Sequence, residues 1–161
     1  MPIALEDILH GYLQTGDLKV STAESCTGGL VSHRITNVSG SSAYFPGGVV
    51  AYSYEAKAGL LGVSWDTLNT HGAVSEETVL EMANGARKVF DADIAVSISG
   101  IAGPGGGTPE KPVGTTWLGL STSKGDWARH FLWDGNREEN KHHSSEAALQ
   151  FIIDYLEGKL N

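Results

Sequence analysis

The alternation of helix-like and strand-like segments is the strongest constraint on the fold of this chain. Helical spacing of apolar residues predicts a first amphipathic helix that begins near Leu5 and stops near Gly16. Strand-like stretches lie at 18–22, 49–54, 94–99, 115–120 and 127–133, and further helix-like stretches lie at 30–38, 55–58, 75–90 and 137–156. Because helices between strands cover both faces of a sheet, the pattern predicts an α/β fold, a three-layer α/β/α sandwich with a mixed, mostly parallel sheet.

The length and charge of the chain limit both its organisation and its partners. A chain of 161 residues, 40% of them hydrophobic, predicts a single domain over residues 1–161 with one buried core. A formal net charge of -8 argues against a nucleic-acid partner, which needs a basic surface. A small anionic ligand stays possible, because one local cluster of positive groups is enough to bind a phosphate.

Several expected absences point to the cytoplasm. The one cysteine, Cys26, cannot form an internal disulfide, which suits a reducing compartment. We see no signal peptide in residues 1–7 and no apolar run near the roughly 20 residues of a membrane span, so we expect no membrane partner. The six histidines show no ligand spacing, and we therefore predict no metal site and no cofactor.

Ser25 is the first candidate site residue, because it lies between a predicted strand and a predicted helix. A serine hydroxyl needs a base to become a nucleophile, and the free N–H groups of the helix start are expected to stabilise an oxyanion. Gly28 and Gly29 in the first turn weaken a helix, which is typical of a place where a ligand approaches the backbone. An alternative is that Ser25 or Thr27 only caps the helix and that the glycines allow close packing.

Lys57 and Tyr52 form a second candidate site just beyond the next strand. Sites in open α/β sheets form at the carboxyl ends of strands, so Ser25 and Lys57 are expected at one edge. A lysine becomes a base when burial and neighbouring positive groups lower its pKa, and Tyr52 would relay a proton or orient substrate. The alternative is a solvated lysine and a core tyrosine. The Ser121–Lys124 stretch also has the S-x-x-K spacing, but it sits at a strand end rather than on a helix, and we reject it.

A glycine-dense stretch over 100–107 is the third candidate site. Its backbone N–H groups are able to form an anion-binding nest, although it matches neither the P-loop nor the dinucleotide fingerprint. Arg137 and Lys141 lie four residues apart at the start of the last helix and share a face, where both could bind phosphate. A flexible loop and a solvated helix face are the alternatives.

Seven motifs in one order resemble the CinA C-terminal domain family over about residues 5–156. They are A-E-S-C-T-G-G at 23–29, G-S-S-A-Y-F at 40–45, G-G-V-V-A-Y-S at 47–53, E-A-K at 55–57, G-A-V-S at 72–75, S-G-I-A-G-P-G-G-G at 99–107 and K-P-V-G-T at 111–115. The resemblance implies hydrolysis of nicotinamide mononucleotide to nicotinate mononucleotide and ammonia, on the three-layer fold and without a metal.

The resemblance also implies roles for individual residues. Ser25 would be the nucleophile, Lys57 its base and Tyr52 a third catalytic residue. The glycine loop and the start of the last helix would line the nucleotide pocket. The expected substrate-binding residues are Thr27, Gly28, Gly29, Ser41, Ser42, Gly48, Ser99, Gly100, Gly103, Gly105, Gly106, Arg137 and Lys141.

Two positions depart from the family pattern at the start of the last helix. The family usually has G-D-R followed by a second arginine one turn on, whereas this chain has Asn136 and Lys141 there. Lysine lacks the planar fork of arginine, so we expect weaker or different phosphate binding. The alternatives are a non-catalytic nucleotide-binding or regulatory module and an amidase for another pyridine or nucleotide amide. A homodimer is expected on general grounds, with Trp65, Trp127 and Trp133 as interface candidates.

Overall fold

The computed structural model describes residues 2–161 as one five-stranded sheet with helices on both faces. The elements in chain order are α1 (Leu5–Leu13), β1 (Val20–Glu24), α2 (Leu30–Thr36), a 3₁₀ turn (Ser41–Ala43), β2 (Gly47–Val50), α3 (Tyr54–Leu61), α4 (Trp65–His71), α5 (Glu76–Val89), β3 (Ile94–Gly100), β4 (Thr115–Thr122), β5 (Gly125–Leu132) and α6 (Arg137–Leu156).

The sheet is mixed, with the strand order β2-β1-β3-β4-β5. β1 lies in the centre of the parallel part and pairs with β2 on one side and β3 on the other. β4 runs antiparallel to both β3 and β5, so four of the five strands point the same way. The carboxyl ends of β1, β2 and β3 therefore meet at one edge of the sheet, which we call the carboxyl edge.

Two hydrophobic cores cover the two faces of the sheet. One contains Leu9 of α1, Val31 of α2 and Phe151 of α6. The other contains Leu61 at the end of α3, Leu68 of α4 and Met82 of α5. This arrangement confirms the predicted three-layer sandwich. Of the helices in residues 2–161, none combines the length and the apolar composition that crossing a membrane requires.

The clearest differences from the sequence prediction concern β1, β2 and α4. The strand predicted at 49–54 ends at Val50, because the Ser53 hydroxyl accepts a hydrogen bond from the Ala56 N–H and caps α3 there. The strand predicted at 18–22 is shifted to Val20–Glu24. We did not predict α4, a short helix whose N-cap is the Ser64 hydroxyl.

Gly85 allows α5 to pack against the end of α3, and its replacement is expected to destabilise the fold. A Cβ atom on Gly85 would lie 1.9 Å from the carbonyl oxygen of Leu61, and a backbone oxygen cannot move aside as a side chain can. We expect Gly85→Ala to lower the free energy of unfolding by about 3 kcal/mol, the cost of overpacking, measured by denaturant unfolding.

Gly59 provides the matched control for this prediction. It also lies in a helix, α3, but no atom lies within 4 Å of the position of its Cβ. Gly59→Ala is expected to raise the free energy of unfolding by about 0.5–1 kcal/mol, because alanine favours a helix more than glycine does. Equal effects of the two substitutions would contradict the packing explanation.

Candidate active site

Ser25 begins a sharp turn at the carboxyl edge, between β1 and α2. Its backbone N–H still donates to the Ile98 carbonyl oxygen of β3, at 2.9 Å, so the residue is held by the sheet. The chain then reverses through Gly28 and Gly29, whose φ angles of 60° and 106° are left-handed values that favour glycine. Both glycines therefore precede α2 and shape the turn, whereas the sequence placed them in the first turn of the helix.

A buried carboxylate, Glu24, occupies the amino end of α2. Glu24 is fully buried, and its two carboxylate oxygens accept hydrogen bonds from the N–H groups of Val31 and Ser32, at 2.9 and 3.0 Å. The N–H of Leu30 donates to the Thr27 carbonyl oxygen. The expectation that the first N–H groups of this helix hold an oxyanion is therefore wrong, because those groups are already engaged.

The turn itself retains the donors that an oxyanion would need. Ser25 and Gly28 use their N–H groups in backbone hydrogen bonds, but within residues 2–161 no protein acceptor engages the N–H of Cys26 or Thr27. The N–H of the residue that follows the nucleophile is the usual oxyanion donor of serine hydrolases with a strand-to-helix turn. Cys26 and Thr27, which follow Ser25 in the chain, thus have N–H groups that are available to an oxyanion.

Lys57 approaches Ser25 from α3, the helix that follows β2. β2 is the strand next to β1 in the sheet. Its Nζ atom lies 3.0 Å from the Ser25 Oγ, and it also donates to the carbonyl oxygens of Ala51 and Tyr52, each at 3.0 Å. The lysine is 1% exposed, and this burial lowers its pKa to about 8, because the charged form loses its hydration. No neighbouring cation contributes to the lowering, contrary to part of our reasoning from the sequence.

The geometry around Lys57 suits the neutral amine as a base. A neutral amine has two N–H bonds and one lone pair. If the two N–H bonds point at the carbonyl oxygens of Ala51 and Tyr52, the lone pair points at the Ser25 hydroxyl, which can then donate to it. The adjacent Cys26 is no competing nucleophile, since burial raises the pKa of its thiol to about 11.

Tyr52 lies beside this pair, but its phenol points elsewhere. The side chain is 61% exposed, and its hydroxyl oxygen accepts a hydrogen bond from Arg137 Nη2 at 3.1 Å. The contact of Tyr52 with Lys57 is made by its backbone carbonyl oxygen. The contacts of Tyr52 are therefore those of a residue that orients its neighbours rather than one that relays a proton.

The glycine loop is held against α6 by two side chains of that helix. Asn140 donates from its amide to the Ala102 carbonyl oxygen at 3.0 Å, and Arg137 Nη1 donates to the Gly103 carbonyl oxygen at 2.8 Å. Asn136 caps α6 in a capping box with Glu139, and asparagine and aspartate are both favoured at this position. Arg137 bridges the glycine loop and Tyr52, and is not a free phosphate ligand in this conformation.

Lys141 approaches the turn from α6. Its Nζ lies 3.8 Å from where a Gly28 Cβ would be, and within residues 2–161 it has no hydrogen-bond or ion-pair partner. A cavity of about 510 Å³ opens beside it, lined by Leu30, Arg137, Glu138, Lys141 and His142. A second cavity, of about 520 Å³, follows along the glycine loop and shares Arg137 with the first. The two cavities form a cleft along the start of α6, from Leu30 at the beginning of α2 to the glycine loop.

Three of the expected substrate-binding residues lie away from this cleft. Ser41 and Ser42 belong to the 3₁₀ turn, which packs at the amino end of β1, since the Tyr44 carbonyl oxygen accepts from the Val20 N–H. Five strand residues, roughly 16 Å, separate that end from Ser25. Gly48 lies in the middle of β2 opposite Thr22, and a Cβ there would come within 2.0 Å of the Thr22 hydroxyl oxygen. Within this chain these residues have structural contacts and do not reach the cleft.

The remaining expected residues lie at or near the carboxyl edge. Thr27 is buried, and its hydroxyl donates to Glu24. Ser99 and Gly100 end β3, and a Cβ on Gly100 would come within 2.6 Å of the Thr116 hydroxyl oxygen. Gly105 and Gly106 are exposed in the loop. The rejected S-x-x-K stretch spans the end of β4 and the turn after it, as we expected.

Four groups of the site were not predicted from the sequence: the side chains of Glu24 and Asn140 and the two carbonyl acceptors of Lys57. An acidic residue between a predicted strand and a glycine-rich turn was a signal for Glu24, because a carboxylate buried at such a place needs several donors. Asn140 and the carbonyl groups gave no signal, since their contacts join distant parts of the chain. Within residues 2–161 no group of three or more His, Cys, Asp or Glu side chains could hold a metal ion.

Comparisons with known proteins agree with this fold. The "Nicotinamide-nucleotide amidohydrolase PncC" of Escherichia coli strain K12 is 54% identical over 134 residues, which cover 83% of this chain and 81% of that protein. A "Putative competence-damage inducible protein" of Halothermothrix orenii is 46% identical over 154 residues, which are 95% of this chain but 37% of that protein. The chain spans well under half the length of such longer curated relatives.

Solved structures show the same arrangement over nearly the whole chain. The competence/damage inducible protein CihA from Agrobacterium tumefaciens is 40% identical, with a TM-score of 0.89 over 98% of this chain and 99% of that one. The competence damage-inducible protein A (ComA) from Klebsiella pneumoniae is 34% identical, with a TM-score of 0.91 over 94% of both chains. Residues 3–156 match the CinA C-terminal domain model, and this chain therefore belongs to the CinA C-terminal domain family.

Proposed function

We propose that this protein is an amidase that hydrolyses the carboxamide of nicotinamide mononucleotide to give nicotinate mononucleotide and ammonia. The observation that carries the proposal is the hydrogen bond of 3.0 Å between the Lys57 Nζ and the Ser25 Oγ, beside a turn that offers free N–H groups. The 54% identity to the nicotinamide-nucleotide amidohydrolase of Escherichia coli supports the choice of substrate.

In the first half of the reaction, Ser25 forms an ester with the substrate. The neutral Lys57 amine takes the hydroxyl proton as Ser25 Oγ attacks the carboxamide carbon. The N–H groups of Cys26 and Thr27 stabilise the negative oxygen of the tetrahedral intermediate. The protonated Lys57 then gives its proton to the amide nitrogen, the C–N bond breaks, and ammonia leaves an acyl-enzyme.

In the second half, water releases the acid. Lys57 is neutral again and takes a proton from a water molecule as the water oxygen attacks the ester carbon. When the second tetrahedral intermediate collapses, the bond to Ser25 Oγ breaks and Lys57 returns the proton to the serine. The products are nicotinate mononucleotide and the free enzyme, with the proton of the new carboxylic acid lost to solvent.

The phosphate of the substrate would bind near Lys141 and Arg137. Lys141 has no protein partner within residues 2–161, whereas Arg137 would have to leave Tyr52 or Gly103 to bind an anion. We therefore expect Lys141 to supply the main phosphate contact, as a point charge. In this proposal Lys141 takes over phosphate binding from the second arginine of the family pattern.

The test is ammonia release from nicotinamide mononucleotide, the corresponding dinucleotide and free nicotinamide. We expect release from the mononucleotide, less from the dinucleotide and little from nicotinamide, because nicotinamide has no phosphate for Lys141. Ser25→Ala, purified in parallel, excludes a contaminating amidase. Saturable binding of the mononucleotide without release would favour a binding module, and release from nicotinamide alone would contradict a phosphate-dependent substrate.

Lys141→Met tests the phosphate contact separately from the chemistry. We expect it to raise the KM for nicotinamide mononucleotide by about tenfold or more, the loss of one charged hydrogen bond, with kcat changed much less. Lys124→Met, in the turn between β4 and β5, is the control lysine remote from the cleft. A fall in kcat at unchanged KM would contradict a binding role for Lys141.

A further inference from the structure

Glu24 carries a buried carboxylate that has no cation to balance it. It is fully buried, and no salt bridge within residues 2–161 includes it. Burying a charge is costly unless hydrogen bonds replace its hydration. Four hydrogen bonds do so here, from the Val31 N–H, the Ser32 N–H, the Ser32 hydroxyl and the Thr27 hydroxyl.

These four bonds join the beginning, middle and end of the turn that contains Ser25. The backbone of Glu24 ends β1 and so fixes the start of the turn. Its carboxylate binds the Thr27 hydroxyl at 2.7 Å in the middle, and the second and third residues of α2 at the end. The Glu24 side chain thus caps α2, although it lies six residues before the first residue of that helix. Its hydrogen bonds connect the two ends of the turn.

We propose that Glu24 is the positioning residue of the nucleophile, which sets where the Ser25 hydroxyl and the N–H groups of Cys26 and Thr27 lie. This inference rests on the proposed serine chemistry, but not on the identity of the amide substrate. The carboxylate of Glu24 accepts hydrogen bonds from N–H groups in the first turn of α2, those of Val31 and Ser32. An oxyanion would therefore have to be bound by the free N–H groups of the turn. The carboxylate touches no reacting atom in this role.

A second layer of hydrogen bonds keeps the carboxylate in place. Since the Ser32 hydroxyl donates to Glu24, the Thr22 hydroxyl, 2.8 Å away, donates to Ser32. The room for the Thr22 hydroxyl comes from Gly48 on the neighbouring strand, where a Cβ would lie 2.0 Å from it. This contact gives Gly48 a function in the site without any contact with substrate.

The test compares Glu24→Gln with Glu6→Gln. In Glu24→Gln, the amide nitrogen that replaces one oxygen is a donor and faces one backbone N–H and one hydroxyl. The hydroxyl can rotate and accept from the amide, but the backbone N–H of α2 loses its acceptor. Glu6 is the matched control, because its mostly buried carboxylate binds Arg34 near the other end of the same helix. Thr27→Val, which removes only the bond in the middle of the turn, is a milder third variant.

The main measurement is the rate at which a fluorophosphonate probe labels Ser25, followed by mass spectrometry of the labelled peptide. In this step the serine oxygen bonds to phosphorus, fluoride leaves and the hydroxyl proton passes to Lys57, so no amide substrate is needed. We expect Glu24→Gln to slow labelling about 100-fold, as loss of an aligned oxyanion donor does, and Glu6→Gln to stay within threefold of wild type. Where ammonia release is measurable, kcat should fall as labelling does, with KM within threefold.

The outcomes separate this inference from the proposed substrate. Labelling of wild type without ammonia release would refute the substrate, while the comparison of the two variants still decides the role of Glu24. If wild type is not labelled, amide hydrogen exchange decides. Exchange at residues 26–32 that is at least tenfold faster in Glu24→Gln than in Glu6→Gln supports the positioning role of Glu24. Labelling by folded Glu24→Gln within threefold of wild type, or equal exchange in the two variants, would overturn the inference.

Discussion

Lys57→Met is expected to lower kcat for amide hydrolysis by about 10³-fold, because the substitution removes the base and keeps the length of the side chain. The Ser25 hydroxyl, 3.0 Å from the Lys57 Nζ, would have no other base, since the remaining neighbours of Nζ are the carbonyl oxygens of Ala51 and Tyr52. Ser25→Ala should cost more, on the order of 10⁴-fold or beyond, because no covalent intermediate can form.

The double variant gives the sharper test of this pair. If Lys57 acts only through Ser25, adding Lys57→Met to Ser25→Ala should cause no further loss, since the two residues work as one unit. Lys19→Met is the control, because Lys19 also donates to a backbone carbonyl, that of Ala43, but at the amino end of β1. Losses that multiply in the double variant would mean that Lys57 assists hydrolysis by another route.

The sequence predicted that Ser25 and Lys57 lie at one edge of the sheet, because each residue follows a strand. Ser25 and Lys57 each follow a strand, and β1 and β2 are parallel neighbours, so their carboxyl ends meet at the same edge. The fold was predicted for the same reason, since alternating helical and strand periods determine the layers. The chemical roles that we propose for the two residues come from the family resemblance, since periodicity alone does not indicate them.

The sequence could not predict contacts that join distant segments. The phenol of Tyr52 binds Arg137, 85 residues further along the chain, whereas Lys57 binds the backbone carbonyl of Tyr52. Ser41 and Ser42 lie in a motif typical of the family, but the motif does not indicate which end of the sheet it packs against. The same limit applies to α2, whose free N–H groups were expected from its sequence and are in fact bound to the side chain of Glu24.

The rate of hydrolysis is expected to rise steeply with pH and to level off above pH 8. Burial lowers the pKa of Lys57 to about 8, and only the neutral amine can accept the Ser25 proton. With that pKa, about 1% of the lysine is neutral at pH 6 and about 90% at pH 9, so kcat/KM should increase about 90-fold between them. A rate that is flat from pH 6 to 9 would contradict a lysine base.

The same lowered pKa has a consequence for stability that does not depend on any substrate. Below pH 8 both the folded and the unfolded protein hold the Lys57 proton, and between about 8 and the ordinary 10.5 only the unfolded protein does. The unfolded state therefore binds more protons in that range, and stability should rise with pH.

Wild type should gain about 3 kcal/mol relative to Lys57→Met across this range, measured by denaturant unfolding at each pH. Because the variant lacks this one titrating group and retains the others, a constant difference between the two proteins would show that Lys57 is charged in the folded state, and the free-base mechanism would fail with it.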